Sequence, residues 1–355
     1  MAPERVNLVV LFGGRSAEHD VSRVTAAHVL QAVDRDRYTV KAVGITREGE
    51  WLLAEDAVAA LAAGETLKEL EVAGRPTSAQ PALSAGAAGS QTVVLPLLHG
   101  PLGEDGTVQG MLELADVPYV GAGVLSSALC MDKAMAKQVL AYHGIAQPAW
   151  LSFREHEVVP TTATHVADRL GLPVFVKPAN LGSSVGISKA KTVAEVDRAL
   201  RVALEYDEWV VVEEAVRGRE IEVAVLGNEA PRASVPGEIV PGHEFYDYAD
   251  KYLDDGAQLL VPAPLPEATA AEVRELAVTV FRAVRAEGMA RVDFFYEEGG
   301  RGFLCNEVNT IPGFTPISMY PKLWEATGVP YSALIDELVR LALERHSHRR
   351  HNTSR

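Results

Sequence analysis

The chain has 355 residues, a formal net charge of −15 and an apolar share of 48%. That is too long for one compact core of ordinary size, so two or three lobes are expected, and the acidity argues against long-range attraction to nucleic acid or to an anionic membrane. Cys130 and Cys305 are the only cysteines; they imply no disulfide framework and fit a reducing compartment. With no signal peptide and no apolar run of spanning length, the expectation is a cytoplasmic protein.

The first predicted element is a strand over Asn7–Phe12, followed by GGRSAEHDVS, a helix from about Val21 to Val33 and a strand over Tyr38–Ile45. Strand, glycine turn, helix, strand is a βαβ unit. Gly13–Gly14 turns the backbone at the carboxyl end of the first strand, where open α/β sheets bind ligands. The spacing is not GxGxxG, so a dinucleotide reading is weak. Glu18 and His19 fall at the start of the helix, where the helix dipole alone also favours a carboxylate. Glu50 to about Gln91 is rich in Ala, Gly and Ser and reads as a surface loop with one short helix. Thr92–Leu98 reads as a buried strand running into HGPLGEDGTVQG and a helix to Ala115, which puts His99 at a second strand end. A short strand at Pro118–Val120 and a helix over Ser126–His143, capped by Gly144, follow. The first boundary falls near Gly121–Ser126.

In the second lobe, Val174–Val176 is a strand ending in Lys177. The loop Asn180–Gly186 carries two glycines and the hydroxyls of Ser183 and Ser184. Backbone N–H groups and hydroxyls in such a loop can wrap phosphate oxygens that Lys177 neutralises, although a plain hairpin turn accounts for it equally well. Val193–Tyr206 reads as an amphipathic helix, Glu208–Val216 as a strand with carboxylates near its end, and Glu220–Leu226 as another strand. Pro236–Pro262 is irregular, and its HEFYDYADKYLDDG centre reads as a lid, with Lys251 and Tyr252 riding on it. A helix runs from Pro266 to about Glu287. Ile311–Lys322 reads as a proline-punctuated loop, Val329–Leu343 as a final helix and His346–Arg355 as a frayed tail.

The most informative stretch is Arg291–Gly313, RVDFFYEEGGRGFLCNEVNTIPG. Two strand-like runs flank a polar, glycine-rich centre, a hairpin signature. Residues two apart share a strand face. Folded about residue 300, Asp293 lies opposite Glu307 and Arg291 opposite Asn309. Two carboxylates and an amide oxygen are hard-cation ligands of the kind Mg²⁺ uses when it also holds phosphate, and a lone Arg beside them sits where negative charge develops. Val292, Phe294, Leu304 and Val308 form the opposite, apolar face. Cys305 reads as a small packing residue.

The motifs GGRSAEHDVS, HGPLGEDGTVQGMLE, VKPANLGSSVG, EFYDYADKY and NEVNTIPG, in this order along nearly the whole chain, resemble the D-alanine–D-alanine ligases, ATP-grasp enzymes of bacterial cell-wall synthesis. The resemblance implies a three-lobed α/β ATP-grasp fold: an N-terminal substrate-binding domain over 1–125, a central lobe over 126–222, and a C-terminal lobe over 223–355 carrying the lid, 236–262, and the metal site. It implies ATP between the second and third lobes, its phosphates on Lys133, Lys177 and Ser184, and Lys251 closing over the γ-phosphate. Glu213, Val216 and Glu220 would surround adenine and ribose. Asp293, Glu307 and Asn309 would bind two Mg²⁺, with Mn²⁺ as a substitute. Glu18 would pair with the ammonium of the first D-alanine, linked to Ser183 and Tyr252, and His99 would be a further substrate-binding residue. Ser318 and Met319 would receive the carboxylate of the second, and Arg291 with the Gly313 N–H would form an oxyanion site. The implied assembly is a homodimer, with no nucleic-acid or membrane partner. The alternatives are a D-alanine–D-lactate ligase, against which Tyr252 argues, another ATP-grasp carboxylate–amine ligase, and a non-catalytic nucleotide sensor on the same scaffold.

Overall fold

The computed structural model describes residues 5–83, 91–182, 185–241, 258–315 and 317–353, with side chains described to Arg349. Among the described residues the strands form three sheets.

The first sheet contains β1 (Val6–Gly13), β2 (Tyr38–Ile45), β3 (Trp51–Leu53), β4 (Arg75–Thr77) and β5 (Thr92–Pro96), in the order β4-β3-β2-β1-β5. The β1 strand pairs in parallel with β2 and β5. Its run VNLVVLFG is nearly all apolar because both faces are covered, as in other parallel strands. Leu8, Val10 and Phe12 enter the core shared with α1 (His19–Ala32), and Val9 and Leu11 enter a second core on the other face. The β3 and β4 edge strands, with α2 (Glu55–Ala62) and α3 (Ala79–Leu83), correct the expectation of a loop with one helix over Glu50–Gln91. The Ala-rich composition hides short antiparallel edge pairs that register only once β2 is there to pair with.

Next come α4 (Thr107–Leu114), α5 (Val124–Met131) and α6 (Lys133–Tyr142). The single helix expected over Ser126–His143 is broken at Asp132, whose side chain accepts from Met135 N–H and restarts the chain as an N-cap. The second sheet is antiparallel, in the order β6 (Trp150–Arg154), β9 (Trp209–Glu214), β7 (Val174–Pro178), β8 (Ser188–Ala190), backed by α7 (Thr162–Leu170) and α8 (Val193–Leu204).

The third sheet has β10 (Arg219–Gly227) at its centre. The order is β13 (Gln258–Leu260), β12 (Gly237–Val240), β10, β14 (Gly288–Glu297), β15 (Gly302–Asn309), with β11 (Arg232–Ala233) beside β10. One face packs on α9 (Glu267–Ala283). Ala224, Leu226 and Met289 instead join the N-terminal core through α10 (Met319–Ala326) and α11 (Tyr331–Thr353).

Two C-terminal expectations are corrected. Part of the proline-punctuated loop is α10, which tolerates Pro321 because the first turn of a helix needs no backbone donor there. The supposedly frayed tail continues α11. Buried Arg345 donates to the Tyr119 and Gly121 carbonyls, and Arg349 pairs with Glu113 and Glu287. Among the described residues, no helix is long and apolar enough to cross a membrane.

Candidate active site

A cavity of about 1590 Å³ opens where the three sheets meet. It is lined by Glu18, His99, Lys133, Lys177, Glu213, Val216, Glu220, Arg291, Asp293, Glu307, Asn309, Gly313, Ser318 and Met319. Four further candidates, Ser183, Ser184, Lys251 and Tyr252, lie outside the described residues, as does lid segment 242–257.

The hairpin β14–β15 supplies one wall. Asp293 faces Glu307 and Arg291 faces Asn309, the expected pairing. On its other edge β14 pairs with β10, which sets Glu222 opposite Asp293. Glu222, Asp293 and Glu307 therefore form one rung across three strands, an arrangement that like-charge repulsion opposes. Arg291, one step along the same face, relieves it. Its guanidinium forks onto Asp293 at 2.7 Å through both Nε and Nη2 and reaches Glu222 at 2.9 Å. The arginine expected to stand alone is thus ion-paired. Burial alone would depress its pKa, but Asp293 and Glu222 outweigh burial and raise it well above the usual value. Glu222 escaped the sequence reading, although its alternation with Glu220 on an otherwise apolar strand was a usable signal.

The apolar face needs one correction. Pairing of Asp293 with Glu307 and of Phe294 with Cys305 leaves Asn306 as an extra residue in β15, a β-bulge. The bulge reverses parity beyond it. Leu304 lies opposite Phe295 instead of joining the core face, which is completed by Phe303 and fully buried Cys305.

Asp293, Glu307 and Asn309 fit Mg²⁺ by donor chemistry. Asn309 Nδ2 donates to Asp293 Oδ2 at 2.9 Å, and a half-turn of the amide would offer its oxygen in the same place. Among the described residues, no three His, Cys, Asp or Glu side chains converge on one metal position. A small protein donor set completed by phosphate oxygens is the usual Mg²⁺ arrangement.

The opposite wall is cationic. The Glu213 carboxylate lies between Lys177, at 2.9 Å, and Lys137, at 3.2 Å. Burial pushes this carboxyl up, but Lys137 and Lys177 together outweigh it and hold it at about 2. Lys137 is a second residue that the sequence reading missed. Lys133, one helical turn earlier on α6, donates to the Leu181 carbonyl of the β7–β8 loop.

The third corner is built by strand ends. Ser16 Oγ donates to the His99 carbonyl at 2.7 Å and accepts from Glu18 N–H, tying the β1 and β5 ends together. Glu18 N-caps α1 without a side-chain cap bond, so its carboxylate is directed elsewhere. A β-carbon added at Gly100 would lie 2.7 Å from Glu18 Oε2, and one at Gly182 would lie 3.1 Å from it. Both loops thus approach the carboxylate where only glycine leaves room. His99 is 5% exposed, and among the described residues its Nε2 has no hydrogen-bond partner. Burial lowers its pKa, against the pull of Glu18. Glu104, also missed, accepts from Gly100 N–H at 2.6 Å; burial and then Glu18 raise its pKa well above the usual carboxyl value.

At the far end, Ser318 N-caps α10, and Met319 is buried at the first helical position. Ser318 Oγ accepts from Thr315 N–H at 3.1 Å, and a β-carbon on Gly313 would lie 3.0 Å from that oxygen. A helix N-terminus of this kind suits a carboxylate.

The chain is similar to known proteins along nearly its whole length. The family descriptions "D-ala D-ala ligase N-terminus" and "D-ala D-ala ligase C-terminus" match residues 7–122 and 139–340. A D-alanine–D-alanine ligase of Thermoanaerobacter sp. (strain X514) is 48% identical, over 97% of this chain and 98% of the relative. The solved D-alanine–D-alanine ligase of Coxiella burnetii superposes with a TM-score of 0.81 at 36% identity, over 98% of this chain and 96% of that one. The Bacillus anthracis enzyme, solved in complex with ATP, superposes with a TM-score of 0.73 at 27% identity, over 97% and 99%. With both family halves matched in order and a relative this similar along its full length, the chain belongs to the D-alanine–D-alanine ligase family.

Proposed function

We propose that this protein joins two D-alanine molecules into D-alanyl-D-alanine at the expense of ATP, forming ADP and phosphate, in the cytoplasm and for cell-wall precursor synthesis. The observation that carries the reading is one cavity with an acidic rung, a lysine-rich wall and a buried carboxylate at three separate corners. Family membership supports the same activity. The chain divides for this purpose into residues 1–125, 126–222 and 223–355. A homodimer is proposed on the resemblance, and light scattering tests it.

The chemistry sets the division of labour. A carboxylate is a poor acyl donor because its leaving group would be oxide. Phosphorylation by ATP converts the first D-alanine into an acyl phosphate, which requires two anions to meet. Lys133 and Lys177 hold the phosphates, with Glu213, Val216 and Glu220 around adenine and ribose. Asp293, Glu307 and Asn309 would hold Mg²⁺, two ions by the resemblance, and the metal would screen the phosphoryl group. Glu18 holds the first ammonium, assisted by His99. Ser318 and the Met319 N–H receive the second D-alanine's carboxylate. Its amine attacks the acyl phosphate, Arg291 and the Gly313 N–H hold the tetrahedral oxyanion, and phosphate leaves. No side chain acts as a covalent nucleophile. Tyr252, known here from sequence alone, is neutral where a histidine would become cationic and repel the incoming ammonium, so D-alanine is the expected acceptor over D-lactate.

The test is phosphate release with D-alanine, D-lactate and other amino acids supplied in turn, with products identified. Release that depends on D-alanine and yields the dipeptide is expected. Preference for D-lactate at neutral pH would transfer the assignment to the depsipeptide ligases, and no release with any acceptor would favour a nucleotide sensor.

A further inference from the structure

Two lysines share one carboxylate in the wall formed by α6, β7 and β9. Lys137 and Glu213 have side chains only 3% exposed, and Lys177 is 11% exposed. One ammonium suffices to neutralise one carboxylate. Burying a second costs several kcal/mol unless its charge is used. Among the described residues Lys137 is ion-paired with Glu213 and does not line the cavity, whereas Lys177 does. Lys133 and Lys137 lie one turn apart on α6, so a single helix face carries both.

We propose that Lys137 is a positioning residue that neutralises Glu213 from behind, so that the charge of Lys177 is left for the phosphates of the nucleotide. This rests on the reading of the cavity as an ATP site. With Lys137 present, the cluster carries one surplus positive charge, and that charge emerges at the cavity surface on Lys177. Without it, Glu213 and Lys177 cancel, and the phosphates are left with Lys133 on this wall. Glu213 is held at about 2 by both lysines together, as expected of a carboxylate facing two cations.

The test is calorimetric titration of inorganic triphosphate, which lacks the adenine and ribose that Glu213 faces, with Mg²⁺ and without D-alanine, into the unmutated protein, Lys137→Met, and Lys137→Met combined with Glu213→Gln; ATP itself is titrated into the unmutated protein. The double variant restores the surplus charge because the amide no longer cancels Lys177. Loss of a charge-assisted contact should weaken triphosphate binding about 10- to 100-fold in Lys137→Met, and the double variant should recover most of that loss. In steady state, the KM for ATP should rise in Lys137→Met while kcat at saturating ATP and the KM for D-alanine change little. A merely structural lysine would give no recovery, since the double variant removes a second buried partner. Wild-type affinity in Lys137→Met, or a folded double variant that binds no better than the single one, would overturn the proposal. Failure of the unmutated protein to bind ATP would overturn the site reading itself.

Discussion

Two walls of the cavity face each other with opposite surpluses of charge. On the hairpin wall, Glu222, Asp293 and Glu307 outnumber Arg291. On the helix wall, Lys137 and Lys177 outnumber Glu213. Each wall is incomplete alone: the acidic one calls for a cation, and the basic one for an anion. A nucleotide triphosphate carrying Mg²⁺ supplies both at once. The lesson is that a net-acidic chain can bind an anion by segregating its charges across one cleft.

The comparison is broken most severely at Arg291. Arg291→Met removes the cation that pairs with both Asp293 and Glu222. It also removes the proposed oxyanion donor, so kcat should fall about 10²- to 10³-fold. Thermal melting should shift downward as well, because the two carboxylates are left facing each other. Arg291→Lys should recover less than its charge implies, since an ammonium cannot reproduce the fork. Steady-state kinetics and melting curves on both variants check this.

An effect of similar size, on substrate binding instead of turnover, concerns the third corner. Glu18→Gln should weaken the first D-alanine by about 3–5 kcal/mol, as when a buried charge pair loses one member, and ATP far less. Equal weakening of both ligands, measured by their separate titrations, would mean that Glu18 only supports the start of α1.

How far these walls were legible differs for physical reasons. The hairpin was readable because strand parity and a glycine turn near residue 300 fix which side chains meet. The bulge at Asn306 was not, since nothing in the sequence marks where an extra residue is absorbed, and Leu304 was misplaced for that reason. The helix wall was half readable. Lys177 ends an apolar strand, but Lys137 is a charged side chain in the otherwise largely apolar helix KAMAKQVLAY, where a lysine is expected to face solvent. Its burial depends on β9, more than 70 residues away. Arg349 likewise looked like part of a frayed tail because its partner Glu113 lies 236 residues distant.

A smaller effect sharpens the basic wall. Glu213 has a folded-state value of about 2 against an ordinary 4.5. Its contribution to stability is therefore complete above about 4.5 and is lost as pH falls from there towards 2. In Lys137→Met only one lysine depresses it against the same burial, so this contribution should be smaller and its loss complete at a higher pH. Melting temperatures from pH 6 down to pH 3 read this directly. The smallest catalytic effect is expected at Arg345, outside both walls. Arg345→Met removes a buried charged donor to the Tyr119 and Gly121 carbonyls. It should lower stability by about 1.5–3 kcal/mol in denaturant titrations and leave KM values unchanged.

The account turns on an acyl phosphate formed between the two walls. D-Alanine labelled with ¹⁸O in both carboxylate oxygens tests it, with the released phosphate analysed by mass spectrometry. If the carboxylate attacks the γ-phosphate and is then displaced by the second amine, each phosphate released with dipeptide formation carries one ¹⁸O. Unlabelled phosphate accompanying labelled D-alanyl-D-alanine would contradict it.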